Sequence, residues 1–239
     1  MLMRNFLISP PFGNWISRHY ANSIHGSFTW EARPGLLYHT LRSLRPIKGG
    51  WVNQIGLRNP GLRHAGLAPE NIHSLVGLID GDWERMLEFA PANMTPEVNL
   101  GCPNVHEYGI PPAVLSSYCK KFGTVIAKLP PTEMVDDLAA MCVEAGVQYL
   151  HLCNTLPTDR GGESGARLFH RVLPIVERLA YRHRGVEVIA GGGIYHPAHL
   201  HAYRLVGATH FSLATVWFTP WRVAKILDAY TKSPTLITN

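Results

Sequence analysis

The sequence has little of several features that would place the protein in other classes. Only 16% of its 239 residues are charged and 46% are hydrophobic, which is the balance of a folded chain with a sizeable core. No apolar run is long enough to span a bilayer, and residues 1–11 lack the apolar stretch and cleavage site of a signal peptide. The four cysteines show no paired metal-ligand spacing, so we expect reduced thiols in a cytoplasmic protein. The net charge of +5 is scattered, which predicts solvated surfaces rather than a nucleic-acid-binding face.

The sequence does contain short apolar segments that alternate with segments of helical spacing. We predict strands at residues 6–9, 23–29, 73–79, 97–102, 124–129, 148–153, 186–190 and 210–213, and a further strand-like segment at 51–57. Helical spacing is clear at Val135, Leu138 and Met141, and again at residues 168–179. Eight strands alternating with helices predict a (β/α)8 TIM barrel, a single domain over residues 1–239 with a frayed tail from residue 233.

Glycines follow the seventh predicted strand and point to a phosphate site. In a barrel of this kind the loops after the carboxyl ends of the strands build the active site. Gly191-Gly192-Gly193 would let backbone N–H groups approach a phosphate, and Thr215 at the end of the eighth strand could add a hydroxyl. A tight turn between strand and helix explains a single glycine triplet equally well. Two neighbouring strand ends of this kind favour phosphate.

Four asparagines are predicted at the same mouth of the barrel, at Asn53, Asn99, Asn104 and Asn154. A carboxamide offers both a donor and an acceptor without charge, which suits a planar ring with alternating N–H and C=O groups. Each asparagine alone could be a turn or cap residue. Together, at strand ends, they favour a binding site for an amide or imide ring.

Two further residues at strand ends carry chemistry. Cys102 lies between glycine and proline at a bent strand end, where a thiolate could act as a general base. The alternative, a small buried residue, is favoured for Cys119 and Cys142, which fall in helical segments. Lys128 ends the fifth strand and, if buried, needs an anionic partner such as a phosphate or a reduced flavin.

A histidine cluster invites comparison with a metal site. His196, His199 and His201 match no closed zinc spacing and have no cysteine or carboxylate nearby in sequence. We therefore predict a helix start there and no metal.

Taken together, these segments resemble the dihydroorotate dehydrogenase family. The matching pieces are residues 52–61 (VNQIGLRNPG), 99–105 (NLGCPNV), 127–131 (AKLPP), 154–155 (NT), 161–165 (GGESG), 189–194 (IAGGGI) and 207–208 (GA) leading to Thr215. They occur in the family's order and span nearly the whole chain. None is diagnostic alone, but the ordered set is specific.

The resemblance implies flavin mononucleotide (FMN) as the cofactor and a pyrimidine-like substrate. The residues implied to hold FMN are Lys128, Asn99, Asn154, the turn at Ser164-Gly165, Gly191, Gly192, Gly193, Ala214 and Thr215. The substrate ring is implied to contact Asn53, Asn99, Asn104, Asn154 and Thr155, with Ile55, Gly56 and Leu57 facing its carboxylate. Cys102 matches the base of the cytoplasmic class-1 enzymes, removing a proton from C5 while the C6 hydride passes to FMN.

Three departures from the family pattern put the substrate in question. A lysine that contacts flavin and substrate in class-1 enzymes is replaced by Gly26. The family's loop after the second strand is reduced to Arg33-Pro34-Gly35, and the stretch between Asn154 and Gly161 is much shorter than the family's lid insertion. We therefore expect dihydroorotate or a related dihydropyrimidine as substrate.

Two other functions are compatible with parts of the pattern. A tRNA-dihydrouridine synthase also uses an FMN barrel and a Gly-Cys-Pro motif, but the chain leaves no room for that family's helical RNA-binding domain. A non-catalytic flavin-binding subunit would explain the lost lysine, whereas Cys102 with its asparagines argues for an enzyme. Fumarate, a quinone or a partner subunit remain open as electron acceptor, and relatives in the family suggest a homodimer.

Overall fold

Short strands and the helices between them close a parallel barrel. The computed structural model describes residues 3–101 and 109–232. Its barrel strands, numbered in chain order together with those of a second sheet, are β1 (Phe6–Ile8), β2 (Ala21–Phe28), β5 (Ile72–Leu75), β6 (Thr95–Asn99), β7 (Ile126–Leu129), β8 (Tyr149–Leu152), β11 (Glu187–Ala190) and β12 (His210–Leu213). Neighbouring strands run parallel, and β12 pairs with β1 to close the cylinder. The predicted TIM barrel is confirmed, and a strand is present at each of the eight predicted places, although the third barrel strand ends at Leu75 and not at residue 79, and the fourth ends at Asn99.

The interior of the barrel changes character along its axis. Its apolar layer consists of Leu7, Ile24, Ile72, Ile126 and Ile189, all fully buried. Side chains two residues apart on a strand share a face. The next interior residues toward the carboxyl ends of the strands are therefore Ser9 after Leu7, Ser74 after Ile72 and Lys128 after Ile126. The barrel is therefore filled by hydrocarbon below and by polar side chains at its carboxyl end.

A second sheet lies beside the barrel mouth. It consists of β3 (Arg45–Ile47), β4 (Gly50–Asn53), β9 (Leu156–Thr158) and β10 (Gly161–Gly165), all antiparallel, in the order β3-β4-β10-β9. The strand-like segment predicted from residue 51 is real, but it ends at Asn53. The turn expected at Ser164-Gly165 is wrong, because these residues pair with Trp51 and Gly50 in a ladder. Three glycines in five residues carry almost no strand propensity, and pairing with β4 decides the conformation.

Helices surround the barrel where the sequence pattern places them. They are α1 (Leu36–Ser43), α2 (Asp82–Phe89), α3 (Pro112–Lys121), α4 (Val135–Glu144), α5 (Phe169–Arg182), α6 (Pro197–Leu205) and α7 (Pro220–Lys232). The predicted apolar spacings bury Val135 and Cys142 of α4, and Val172 and Leu179 of α5. In the described part of the chain, none of the helices has the length and apolar character that a bilayer crossing requires.

Candidate active site

One cleft at the carboxyl ends of the barrel strands brings the predicted site residues together. It is lined by Asn53, Ile55, Gly56, Leu57, Asn99, Lys128, Asn154, Thr155, Ser164, Gly165, Gly191, Gly192, Gly193, Ala214 and Thr215, among others. The predicted base Cys102 and Asn104 lie outside the described residues, shortly after Asn99 in sequence. The cleft lies at the end of the barrel where active sites of this fold are built. Which ligands these residues bind remains a prediction.

Gly192 and Gly193 of the loop after β11 line the cleft, whereas the N–H group of Gly191 donates to Leu152 O and is not available to a ligand. Gly192 and Gly193 have φ angles of 81° and 82°, a conformation that favours glycine. Their carbonyl oxygens are held from behind, since Tyr203 Oη donates to Gly192 O and His199 Nδ1 to Gly193 O, both at 2.7 Å. The N–H groups of the two glycines donate to no acceptor among the described residues. Amides left unpaired in this way suit an anionic group.

Aromatic side chains stabilise this loop and the neighbouring end of β12. His199 stacks on Phe169 with ring centroids 4.2 Å apart and an interplanar angle of 15°. Tyr195 Oη donates to Thr215 O at 2.9 Å, which ties the loop after β11 to the short 3-10 helix Thr215–Phe218. The histidine cluster noted in the sequence therefore supports the loop through His199. Within the described residues, no group of three His, Cys, Asp or Glu side chains is arranged to hold a metal.

A chain of hydrogen bonds crosses the floor of the cleft. Asn99 Nδ2 donates to Ser27 Oγ at 2.8 Å, and Ser27 Oγ lies 2.8 Å from Ser74 Oγ. Asn154 Nδ2 donates to Asn99 Oδ1, and also to Leu100 O at 3.2 Å. The network joins four strand ends and fixes the two carboxamides, which are both buried. It turns separate asparagines into one preorganised polar surface.

Lys128 is the cation of the cleft floor. It is 8% exposed, and its Nζ forms no hydrogen bond with any described residue. Below it, His151 Nδ1 lies 2.6 Å from Glu97 Oε2, and this pair is fully enclosed. Burial by itself would raise the pKa of Glu97, but the charge of Lys128 and the contact with His151 lower it to about 2. Glu97 is therefore ionised. Its negative charge compensates the positive charge of Lys128, whose N–H groups donate to no described residue.

The segment after β4 forms an irregular turn at the other end of the cleft. Gly56 has φ 73° and Leu57 φ 53°, and Leu57 is the non-glycine residue with positive φ in the described chain. Neither N–H group donates to a described residue. Arg33 Nε donates to Gly56 O at 3.1 Å, and Arg58 Nε to Ile55 O at 3.4 Å. Two guanidinium groups thus hold the carbonyls of a turn whose amides are open.

Asn53 and the second sheet form the adjacent wall. Asn53 Nδ2 lies 3.5 Å from Gly162 O, and its Oδ1 accepts from Ile55 N at 3.4 Å. Ser164 and Gly165 of β10 also line the cleft, and a Cβ on Gly165 would lie 2.4 Å from Gly50 Cα. The close approach of the two strands requires glycine at this point.

Gly26, which is expected from the resemblance at the place of the family's lysine, lies in β2 and lines the cleft. Its N–H donates to Asn14 Oδ1 at 2.8 Å, and Asn14 Nδ2 donates to its carbonyl at 3.3 Å. A Cβ there would lie 2.6 Å from Ser74 O, and φ is 111°. A larger side chain therefore does not fit this backbone. The shortened stretch between Asn154 and Gly161 forms β9 and a tight connection to β10.

Sequence reasoning missed several cleft residues. They are Ser9, Asn14, Ser27, Tyr195, Ser212 and Arg58, among others. Serines in the middle of strands carry no signal of their own until the direction of each strand is known. Arg58 lies within the matched segment 52–61, whose pattern assigns it no role.

Comparison with known proteins places the chain among its relatives. No protein-family model matches it. The catalytic subunit of dihydroorotate dehydrogenase B (NAD(+)) from Staphylococcus carnosus is 28% identical, over 95% of this chain and 85% of that protein. The corresponding subunit from Cutibacterium acnes is also 28% identical, over 91% and 84%. The chain is a homologue of the dihydroorotate dehydrogenases.

The fold agrees with this relationship. The ligand-free DHODH of Eimeria tenella superposes with a TM-score of 0.69, covering 95% of this chain and 83% of that one, at 15% identity. At that identity the likeness shows the fold alone. The predicted resemblance to the dihydroorotate dehydrogenase family is confirmed by the sequence relatives, and the barrel by the structure.

Proposed function

We propose that the protein oxidises dihydroorotate, or a related dihydropyrimidine, to the unsaturated ring with FMN as its cofactor. The homology to dihydroorotate dehydrogenases supports the reaction and a flavin in general. The observation that carries the proposal is the convergence, in one cleft, of an open glycine loop, a buried lysine and a network of carboxamides. These groups are far apart in sequence, and together they suit a phosphate, an electron-rich ring and a pyrimidine.

The residues present fit FMN. The unpaired N–H groups of Gly192 and Gly193 would hold its phosphate, with Ala214 and Thr215 on the neighbouring strand end. Lys128 would place a positive charge beside its ring system. When bound, FMN accepts the hydride that leaves C6 of the substrate.

The substrate ring is assigned to the carboxamide surface. Asn53, Asn99, Asn154 and Thr155 line this part of the cleft. Asn104, which we also assign to the substrate, follows Asn99 in the sequence. The open amides of Gly56 and Leu57 would receive the carboxylate, and the two arginines that hold the turn favour negative charge there. Fixed donors of this kind orient the ring and stabilise charge that develops on its oxygens.

Cys102 is proposed as the general base. Its thiolate would take the proton from C5 as the hydride leaves C6, so that the ring loses two electrons and two hydrogens. The assignment rests on the matched segment 99–105 and on the position of Cys102 three residues after Asn99, which lies in the cleft floor.

The acceptor of the electrons and the assembly are part of the proposal. The two relatives are named as catalytic subunits of NAD(+) enzymes, which makes a partner subunit one candidate acceptor, beside fumarate and a quinone. We expect a homodimer, which size-exclusion chromatography with light scattering measures directly.

Anaerobic mixing tests the proposed function. The purified protein, loaded with FMN, is mixed with dihydroorotate, and the flavin absorbance is followed. Bleaching with formation of orotate is the expected result. A protein that binds FMN but stays yellow with dihydroorotate and with dihydrouracil would be a flavin-binding module and would refute the proposed oxidation.

A further inference from the structure

A buried group of three ionisable side chains lies directly under the cleft. Glu97, Lys128 and His151 come from the neighbouring strands β6, β7 and β8. Glu97 and His151 are at most 1% exposed, while Lys128 reaches the cleft. The other polar side chains of the cleft floor are neutral amides and hydroxyls. Placing charges at this depth is costly unless they compensate each other.

The charges of the group can be assigned. Burial is the main cause that lowers the pKa of His151, so the imidazole is neutral and donates its Nδ1 proton to Glu97. Cys153, a further titratable group near Lys128 among the described residues, is also neutral, because burial raises the pKa of its thiol to about 12. Glu97 is therefore the negative charge that faces Lys128 among the described residues. The group as a whole is neutral.

The donors of this group are unevenly used. His151 donates a hydrogen bond from Nδ1 to Glu97 Oε2, and Glu97 Oε1 has no hydrogen-bond partner among the described residues. Lys128 Nζ forms no hydrogen bond with them either, and it is 8% exposed. The lysine is thus nearly enclosed, and its donors are not used by any described residue. The carboxylate of Glu97 compensates its charge without accepting a hydrogen bond from it.

We propose that Glu97 and His151 are positioning residues for the reaction: the carboxylate keeps Lys128 protonated, and His151 fixes the carboxylate under it. This inference rests on the proposed function in one respect, namely that the group which Lys128 contacts in the cleft is the flavin. A purely structural role of the pair would contribute to folding and leave the charge of Lys128 unchanged.

The protonation of Lys128 separates the two roles. Glu97→Gln keeps the shape of the side chain and removes its charge, leaving the lysine buried without a counter-charge. In flavin-free protein labelled with ¹³C at lysine Cε, we expect the Lys128 signal to titrate at least about one pH unit lower in the variant than in the parent. The signal is identified by its loss in Lys128→Met.

Cofactor binding gives a second readout. We expect the Kd for FMN of Glu97→Gln to rise at least about twofold between about pH 7 and about pH 9.5, with little change in the parent over the same range. In the double variant with Lys128→Met this pH dependence disappears. The matched control is Glu187→Gln, which removes the carboxylate of a second Glu–His pair, 2.8 Å from His210 Nε2 at the opposite end of the barrel.

Variants at His151 keep the test open if Glu97→Gln does not fold. His151→Leu removes the donor to Glu97 and should shift both readouts in the same direction by a smaller amount, while His151→Gln retains a donor and should restore them. An unchanged Lys128 titration in both Glu97→Gln and His151→Leu would overturn the inference. If the parent binds no flavin, the proposed function fails, and the titration in flavin-free protein still decides the role of the pair.

Discussion

The two ends of the cleft are built from different parts of the polypeptide. At the β11–β12 end the groups that face the cleft are backbone amides of Gly192 and Gly193, held by hydrogen bonds to their carbonyls. At the second-sheet end they are the side chain of Asn53 and the irregular turn at Gly56 and Leu57, flanked by arginines. One end is fixed by glycine and main-chain geometry. The other depends on side chains and a turn.

This difference bears on which property of the protein is easy to change. Backbone amides recognise a phosphate whatever the neighbouring side chains are, so the glycine end is expected to tolerate change only where the backbone does. The other end discriminates among rings through a few donors and charges, each of which a single substitution alters. The departures from the family pattern lie outside the glycine loop, at Gly26, at Arg33-Pro34-Gly35 and in the stretch that forms β9. We therefore expect substrate preference to be set there.

The largest effect is expected at Cys102, the proposed base, which both ends of the cleft would serve. We predict that Cys102→Ala lowers the rate of flavin reduction by dihydroorotate at least about 100-fold, because the base that removes the C5 proton is lost. FMN binding should be preserved, since the glycine loop is untouched. Stopped-flow absorbance under anaerobic conditions measures the rate, and fluorescence quenching measures FMN binding.

Cys119→Ala provides the matched control. Cys119 lies in α3, and burial raises the pKa of its thiol, so it should not act as a base at neutral pH. The control should reduce its flavin at the parent rate. Equal rates in the parent and in Cys102→Ala would remove Cys102 from the mechanism.

The parts of the fold that follow from local pattern could be predicted from sequence. The eight barrel strands alternate with segments of clear helical spacing, and the glycine triplet marks its own loop because only glycine adopts φ near 80° without cost. β9 and β10 could not be predicted in this way. Their residues have little strand propensity; β9 pairs with β10, and β10 in turn pairs with β4, which is far away in sequence.

The same limit applies to the candidate site. Asparagines at strand ends could be predicted to converge, because parallel strands end at one edge of the barrel. That Glu97 points inward beneath Lys128 could not, since a glutamate between proline and valine is as compatible with an exposed strand face. Hydrogen bonds such as that between Ser27 and Asn99 depend on the register of neighbouring strands, which the sequence does not state.

A smaller effect is expected from the glycine end. Gly193→Ala places a Cβ 2.4 Å from Phe169 N, at a φ of 82°. We predict that the loop shifts and that the Kd for FMN rises about tenfold, or about 1.4 kcal/mol, with the KM for dihydroorotate unchanged in the protein that retains flavin. Gly185→Ala is the control, because a Cβ there meets no atom within 4 Å. A parent-like Kd in Gly193→Ala would show that the loop does not hold the phosphate.

The smallest effect is expected from the charge at the opposite end, and it is the most informative about substrate. Arg58 lines the cleft, forms no ion pair with any described residue, and is held over the turn by contacts of 3.4 Å to Ile55 O and Pro34 O. Arg58→Gln removes a positive charge beside the open amides of Gly56 and Leu57. We predict that the KM for dihydroorotate rises roughly threefold to tenfold with little change in kcat, because a partly solvated charge contributes about 1 kcal/mol.

A control variant and a second substrate test whether Arg58 acts on the substrate carboxylate. Arg63→Gln is the matched control, since Arg63 pairs with Glu31 at 2.9 Å and does not line the cleft, so its KM should stay at the parent value. Dihydrouracil, which lacks the carboxylate, should be turned over equally by the parent and by Arg58→Gln if it is turned over at all. A KM for dihydroorotate that is insensitive to Arg58 and to added salt would mean that the carboxylate does not bind at this turn. The second-sheet end would then recognise the ring through its carboxamides alone, and a neutral dihydropyrimidine would become the better candidate substrate.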